Sequence, residues 1–300
     1  MSLITALPGA AAQGLIWGMP HSHENDDSIL DIADLTVDGT LCTGGAVCIM
    51  MMLSGHNVWV SMLVATGAGL LAGLATGIFH TFMGIPAILA GILTQLSLYS
   101  VNLKIMGKAN QAINVDKFNL LVSLRRVKGV ALTQNTLFIV AIMIIILIAV
   151  LYWFFGTELG CSLRATGCNP SMSRAQGINT DRNKVLGLML SNGLVALSGA
   201  LLTQYQGFAD INMGRGSIVI GLAAVIIGEA IFSRIFRNFA LKLLSVVFGS
   251  ILYYLVLQIV IWMGIDTDLL KMLSALVVAF FLAFPYWKGK YFTKAKQGGK

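Results

Sequence analysis

Carboxylates are the groups in this sequence best suited to chemistry, and they are concentrated in one segment. Residues 20–39 contain six of the thirteen Asp and Glu residues and no Lys or Arg. The six are Glu24, Asp26, Asp27, Asp31, Asp34 and Asp38. A carboxylate is costly in hydrocarbon, so in an apolar chain these groups must reach water or line a cavity. His21 and His23 lie among them, but their spacing fixes no closed ligand set, and we assign no metal site.

A short polar pattern occurs twice, once in each half of the sequence. Residues 33–36 (Ala-Asp-Leu-Thr) resemble residues 209–212 (Ala-Asp-Ile-Asn), and glycines and a short apolar stretch follow each copy, at 40–53 and 217–232. Matched short segments interrupted by glycine are typical of the central pathway of a transporter. Four similar residues also arise by chance, so the pattern alone leaves both explanations open.

A second group of polar residues lies in a loop between two long apolar stretches. Residues 157–184 contain four Lys and Arg residues against two acids, which makes the loop net basic. Asn169 followed by Pro170 is typical of a helix N-cap and first helical position, and Gly177 can end such a helix. The pattern predicts a short exposed helix, which is the kind of element on which a soluble partner docks.

The composition indicates what must position these residues. Of the 300 residues, 57% are hydrophobic and 11% are charged, whereas about 25% of an ordinary soluble domain is charged. This excludes a soluble globular enzyme, a disordered protein and a nucleic-acid binder, although the net charge is +7. In a membrane chain a positive balance more often marks cytoplasmic loops.

Apolar stretches follow one another along the whole chain. A crossing helix needs about 20 mostly apolar residues, so the two short stretches at 40–53 and 217–232 predict re-entrant or broken helices. We predict an all-α fold, a polytopic integral membrane helix bundle of about 8–10 membrane segments. It forms a single domain over residues 1–300. The nine stretches run roughly over 3–19, 40–53, 57–79, 84–103, 136–156, 185–205, 217–232, 239–263 and 269–287.

Basic residues orient the predicted segments. The tail at 288–300 carries five Lys residues and no acid, which places the C-terminus in the cytoplasm. Counting back, the loop 157–184 also lies in the cytoplasm and 206–216 lies outside. The loop 104–135 holds six bases and one acid, yet the count places it outside. We expect a positively charged outer loop there, because the stretch 136–156 that follows is the most apolar of the chain and should cross.

The loop sequence is specific enough to suggest a family. Residues 163–170 (Leu-Arg-Ala-Thr-Gly-Cys-Asn-Pro) and 175–178 (Ala-Gln-Gly-Ile) resemble the coupling loop of bacterial ABC importer permeases that serve branched-chain amino acids and ribose. Other stretches resemble the branch of that family paired with tryptophan- or tyrosine-type binding proteins, namely 31–39, 84–94 and 99–107. The resemblance covers about residues 30–290, and the combination is more specific than any one piece. Residues 21–27 depart from it, because they interrupt a span that is apolar in relatives.

The resemblance implies a function and a set of partners. It implies a permease subunit of an ATP-binding cassette importer in the bacterial cytoplasmic membrane, moving an amino-acid-like solute, with an aromatic amino acid as the favoured candidate. It implies a homodimer in membrane lipid, cytoplasmic ATPase subunits and an extracytoplasmic solute-binding protein, with no nucleic acid. The sequence has no Gly-x-x-x-x-Gly-Lys phosphate loop. We therefore expect no enzyme activity and no cofactor in this chain, with ATP and Mg used by the partner ATPase.

Two sets of site residues accompany the resemblance. The coupling loop is expected to transmit closure of the ATPase to the membrane helices as a rigid-body shift. Its residues are Arg164, Gly167, Asn169, Pro170, Ala175 and Gly177. The outer end of the solute pathway is expected to be lined or gated by Asp34, Thr36, Asp38, Gln95, Asp210 and Asn212.

Two other classes of protein remain open. A secondary transporter driven by an ion gradient would explain the acids at 31–38 and Glu229 as ion or proton sites, but it leaves the loop 160–179 unexplained. A membrane-embedded enzyme would need a dense set of His, Asp or Glu inside the spans, and the sequence has such a set only at 21–38. The importer permease is therefore the favoured hypothesis.

Overall fold

The computed structural model describes residues 34–114, 118, 120–123, 136–232 and 238–263, with scattered positions between 269 and 283. The predictions for the first apolar stretch, the interruption at 21–27, the last apolar stretch as a whole and the basic tail lie outside the described residues.

Helices account for most of the described chain, with one pair of short strands. In chain order the elements are α1 (Val37–Leu53), α2 (Val58–Thr81), α3 (Ala87–Met106), β1 (Asn110–Ala112), α4 (Thr136–Phe155), α5 (Glu158–Cys168), α6 (Pro170–Ala175), α7 (Thr180–Gln206), β2 (Phe208–Asp210), α8 (Ser217–Phe232) and α9 (Phe239–Trp262). The strands pair antiparallel, with Asn110 opposite Asp210.

The prediction of an all-α membrane bundle is confirmed. Within the described ranges, five helices (α2, α3, α4, α7 and α9) are long and apolar enough to cross a membrane. Helices α1 and α8 have 17 and 16 residues. At 1.5 Å per residue each spans about 25 Å, less than a hydrocarbon core of about 30 Å. The two stretches predicted to be re-entrant or broken are thus the two short helices.

Large apolar side chains cover the outside of the bundle. Leu63 on α2 and Trp153 on α4 are 73% and 71% exposed, and Ile145 on α4 is also well exposed. The helices are apolar on the inner side as well, as expected for segments that lie in lipid rather than in water. The interior differs from the surface in its buried Thr and Ser side chains and in the glycines at the contacts between helices.

Glycines set the packing of α2 against α7, the pair with the most extensive contact. Gly69, Gly73 and Gly77 recur at every fourth position of α2 and face α7. A Cβ atom on Gly73 would lie 2.7 Å from the carbonyl carbon of Leu188, and one on Gly77 would lie 3.0 Å from the Cα of Val185. The two backbones can approach this closely only because these positions carry no side chain.

A second pair of glycines joins α8 to α9. A Cβ atom on Gly228 of α8 would fall onto the carbonyl group of Ser245, and one on Gly249 of α9 would fall onto that of Ala224. The two contacts are reciprocal, so each helix offers a glycine to the backbone of the other. This packing holds the short helix α8 along a long one.

The chain direction places the loops at two opposite ends of the bundle. Helices α5 and α6 lead into the start of α7, and α2 ends beside that start, because Gly77 faces Val185. The strand pair lies beyond the other end of α7, where the backbone N–H of Ile211 donates to the carbonyl of Ala109, 2.9 Å away. The segments 104–114 and 207–216 therefore share one end, opposite to 157–179, as the predicted order of crossings requires.

Candidate functional site

A short, capped helix stands at the end of the bundle where α7 begins. The side-chain Oδ1 of Asn169 accepts a hydrogen bond from the N–H of Met172 at 3.0 Å, and Pro170 occupies the first turn of α6. Gly177 has a φ of +81°, which an L side chain rarely adopts. Beside it, the N–H of Ile178 donates to the carbonyl of Ser173 at 3.0 Å. The predicted N-cap, first-turn proline and terminating glycine are all present.

Helix α6 is exposed on nearly every side. Ser173 is buried, whereas Met172 is 61% exposed and the side chains around it are exposed as well. An exposed methionine on a short surface helix is adaptable apolar area available for a partner. This confirms the prediction of an exposed helix within the loop 157–184.

Two side chains attach this helix and its neighbour to α7. The Nε of Arg174 on α6 donates to the hydroxyl of Thr180 at 2.8 Å, and its guanidinium lies 3.7 Å from the carboxylate of Asp181. The amide of Asn183 on α7 donates to the Oγ of Ser162 at 2.7 Å and to that of Thr166 at 2.8 Å, both on α5. Helices α5 and α6 and the first turn of α7 are thereby joined into one unit.

The other predicted coupling residues lie around this unit. Arg164 on α5 donates to the carbonyl of Phe155 at 3.0 Å and so ties α5 back to the end of α4. Gly167 is half-buried on α5, and Ala175 is exposed at the end of α6. Helix α7 begins at Thr180 rather than near 185, because Asn179 caps it by accepting from the N–H of Arg182 at 3.1 Å.

A buried polar network lies where α1 starts, deep among α2, α3 and α7. The side-chain amide of Asn192 on α7 donates to the carboxylate of Asp34 at 2.6 Å and accepts from the hydroxyl of Thr40 at 2.6 Å. The carboxylate of Asp34 also accepts from the N–H of Thr36 at 2.9 Å. Asn192, Thr36 and Thr40 are fully buried. One amide on α7 therefore bonds both to Asp34, three positions before α1 begins, and to Thr40 in the first turn of α1.

A chain of hydroxyl groups extends this network to two more helices. The hydroxyl of Thr36 lies 2.8 Å from that of Thr76 on α2, and Thr76 lies 2.9 Å from Thr94 on α3. All three are buried. Gln95 follows Thr94 and is half-buried, and its backbone packs against α1, because a Cβ on Gly39 would lie 3.1 Å from its Cα. Among the predicted pathway residues, Asp34, Thr36 and Gln95 thus lie around the start of α1.

Asp38 connects the starts of the two short helices. Its carboxylate accepts from the hydroxyl of Ser217 at 2.7 Å, from the N–H of Gly216 at 3.0 Å and from the N–H of Ile218 at 3.3 Å. An anion at these free N–H groups satisfies them and complements the helix dipole. A residue in the first turn of α1 therefore caps the N-terminus of a different helix, α8.

The remaining predicted pathway residues lie at the end with the strand pair. Asp210 ends β2, and its carboxylate accepts from the N–H of Asn212 at 2.7 Å and from the side chain of Asn110 at 3.4 Å. The carbonyl of Asp210 accepts from the thiol of Cys42 on α1 at 3.5 Å. Asn212 is exposed. The predicted pathway residues thus form two groups, one inside the bundle and one at its end.

The two copies of the polar pattern have the same local geometry. In each, an aspartate carboxylate accepts the N–H of the residue two positions later, Thr36 in one copy and Asn212 in the other. This is the Asx turn, which interrupts regular backbone ahead of a helix. Helix α1 follows its turn at once, whereas α8 follows only at Ser217.

Some members of the network carry little signal in the sequence. Thr40, Thr76 and Thr94 resemble ordinary helix threonines, because such hydroxyls usually bond to the carbonyl four residues earlier. Each hydroxyl lies within hydrogen-bond distance of that carbonyl, at 3.1 Å, 3.3 Å and 3.1 Å respectively, in addition to its contact across helices. Asn192 stands out as an amide within an apolar stretch, but its partner Asp34 is far away in the chain. Contacts of this kind become visible only in the folded bundle.

An apolar helical bundle with two short helices and an exposed, capped helix at one end is typical of a multi-pass membrane transport protein. A family model described as the permease component of the branched-chain amino acid transport system matches residues 28–282. The chain therefore belongs to this family, the permeases of ABC importers.

Two of three similar proteins carry the name of a transport permease. A tyrosine transport system permease of Clostridioides difficile is 36% identical over 85% of this chain and 82% of its own length. An uncharacterized protein of Rickettsia prowazekii is 38% identical over 92% of this chain and 95% of its own. A fructose import permease of Bifidobacterium longum is 25% identical over 82% of this chain and 67% of its own. No solved structure matches the chain significantly. The comparisons give no support to an ion-driven secondary transporter.

Proposed function

We propose that this permease moves an aromatic amino acid across the cytoplasmic membrane of a bacterium and is driven by a separate ATPase that docks on α6. The observation that carries the proposal is the exposed, capped helix α6, which is fastened to α7 by Arg174. A shift of a docked partner would be passed directly to a long helix, as rigid-body coupling requires. Similarity to a tyrosine transport permease supports the class of solute.

The rest of the assembly follows from this role. Two copies of the chain would share one central pathway in the lipid, each forming a single domain over residues 1–300. ATP and Mg would be used by the cytoplasmic ATPase subunits, and an extracytoplasmic protein would deliver the solute. The α5–α6 end and the basic C-terminal tail would face the cytoplasm, because both are rich in Lys and Arg.

The proposed pathway runs past both groups of polar residues. Asn212 and Asp210 would meet the solute first at the outer end, and Asp34, Thr36, Asp38 and Gln95 would lie further in. There Asp38 would gate the pathway by holding the start of α8 rather than by contacting the solute. Polar side chains inside a bundle usually face its interior or a water-filled cavity, which is where a solute passes.

The solute is testable with purified components. The chain, its ATPase and its binding protein, reconstituted in liposomes, are expected to take up radiolabelled tyrosine or tryptophan only when ATP is enclosed on the ATPase side. Unlabelled aromatic amino acids should compete, whereas fructose should not. Uptake that persists without ATP and collapses with an ionophore would contradict the proposal.

The docking helix is testable with a single substitution. Met172→Glu should lower both binding of the ATPase and uptake by about tenfold, because it places a charge in an apolar contact. Asn169 and Gly177 are poorer probes, since they cap and end α6 and their loss would unwind it. Met172→Leu keeps apolar area at the same position and serves as the control. If Met172→Glu retains ATPase binding and uptake, α6 is not the docking site.

A further inference from the structure

Hydrogen bonds and close backbone contacts connect the unit formed by α5, α6 and the start of α7 to the rest of the bundle. Asn183 and Arg174 fasten α7 to α5 and α6, as described above. Further along, Gly69 and Gly73 of α2 press directly on the α7 backbone. Because no flexible side chain separates the backbones, we expect α2 and α7 to move together when α6 is displaced.

Asn192 is the point where this moving pair meets the start of α1. Its amide nitrogen donates to Asp34 and its oxygen accepts from Thr40, each at 2.6 Å. Asp38, four positions after Asp34 and in the first turn of α1, accepts hydrogen bonds from the N-terminus of α8. The start of α1 is thus hydrogen-bonded to α7 on one side and to the start of α8 on the other.

One donor of the network has a second acceptor within its own helix, because the hydroxyl of Thr40 lies 3.1 Å from the carbonyl of Thr36. The amide nitrogen of Asn192 carries two hydrogens and already donates one of them to the carbonyl of Leu188 at 3.0 Å. If the contacts across helices part, the Thr40 hydroxyl gains a partner within α1 and the Asn192 amide keeps its bond to Leu188. Because a polar group left unpaired in a buried site is costly, this reserve makes a second arrangement of the network accessible.

We propose that Asn192 is the positioning residue through which a displacement of α6 reaches the starts of both short helices, α1 and α8. This inference rests on the proposed function, because it takes α6 as the point where the ATPase docks. In one arrangement Asn192 holds Asp34 and Thr40, and the starts of α1 and α8 are closed together. In the other, α7 has moved, the hydroxyl of Thr40 turns to the carbonyl of Thr36, the Asn192 amide keeps only its bond to Leu188, and the starts of α1 and α8 are free to part.

The test exchanges the two partners in the complete reconstituted transporter. Asn192→Asp removes the donor to Asp34 and sets one carboxylate against another. Asp34→Asn combined with Asn192→Asp restores a donor–acceptor pair and the original charge, with Thr40 still able to donate. Gln204→Glu is the matched control, because Gln204 is another fully buried amide on α7 and bonds to Cys48 of α1 and to the N–H of Leu121.

The quantity to measure is the amount of solute taken up per ATP hydrolysed. Asn192→Asp should lower this ratio about tenfold, the exchanged pair should return it to within about threefold of the unmodified protein, and Gln204→Glu should leave it nearly unchanged. A purely structural role would lower the amount of folded protein without changing the ratio. Should Asn192→Asp fail to fold, the exchanged pair is compared with Thr40→Val, which is expected to lower the ratio alone.

The inference is overturned if Asn192→Asp keeps the normal ratio, if the exchanged pair stays as low as the single variant, or if Gln204→Glu is equally damaging. Failure of the proposed function looks different. In that case the unmodified complex itself shows no ATP-driven uptake, and Met172→Glu has no effect on ATPase binding.

Discussion

Replacing Gly73 with alanine is expected to lower the free energy of unfolding by about 1–3 kcal/mol, the range for inserting a methyl group where no space exists. The added carbon would lie 2.7 Å from both the carbonyl carbon of Leu188 and the Cα of Met189, and closer still to the Leu188 oxygen. These are backbone atoms and cannot rotate away, so α2 and α7 must separate. The thermal midpoint in detergent should fall by about 5 °C.

A second glycine on the same helix provides the control. Gly67 has nothing within 4 Å of the position that a Cβ would take. Gly67→Ala should therefore be neutral or raise the midpoint slightly, because alanine favours a helix by about 1 kcal/mol over glycine. The same chemical change is thus expected to have opposite signs six residues apart. Equal midpoints for Gly73→Ala and Gly67→Ala would show that the α2–α7 contact is not tight.

Local features of this protein could be predicted from its sequence because their causes are local. The capped helix α6 follows from Asn169, Pro170 and Gly177, which act on backbone groups within a few positions. The long helices follow from runs of apolar residues, and the two short ones from shorter runs. The repeated four-residue pattern did not predict a turn, although both copies form the same Asx turn, at Asp34 and at Asp210.

The interior network could not be predicted in the same way. Asn192 and Asp34 are 158 positions apart, and Asp38 and Ser217 are 179 apart. Which polar residues meet is decided by the rotation of each helix, and in apolar helices the pattern of hydrophobic residues does not specify that rotation. The glycines that do set it, such as Gly73, mark a tight contact without naming the partner helix.

Asp38→Ala is expected to destabilise the protein by roughly 3 kcal/mol and to abolish uptake, because it removes the acceptor of three hydrogen bonds at once. The donors left without an acceptor are the hydroxyl of Ser217 and the backbone N–H groups of Gly216 and Ile218. Asp38→Asn should cost about half as much, since its single oxygen can keep the bonds on one side. Ser217→Ala, which removes one bond, should cost least. Thermal midpoints of the three variants give the ranking.

The same variants separate two roles for Asp38, a cap for α8 and a contact for the solute in the pathway. A cap predicts that loss of uptake follows loss of stability through the series, with the apparent affinity for solute unchanged in the protein that folds. A contact to the ammonium group of an amino acid predicts that Asp38→Asn weakens solute affinity while the midpoint stays near that of the unmodified protein. Because the carboxylate already accepts three bonds from the start of α8, we expect the first pattern. An affinity loss without a stability loss would contradict it.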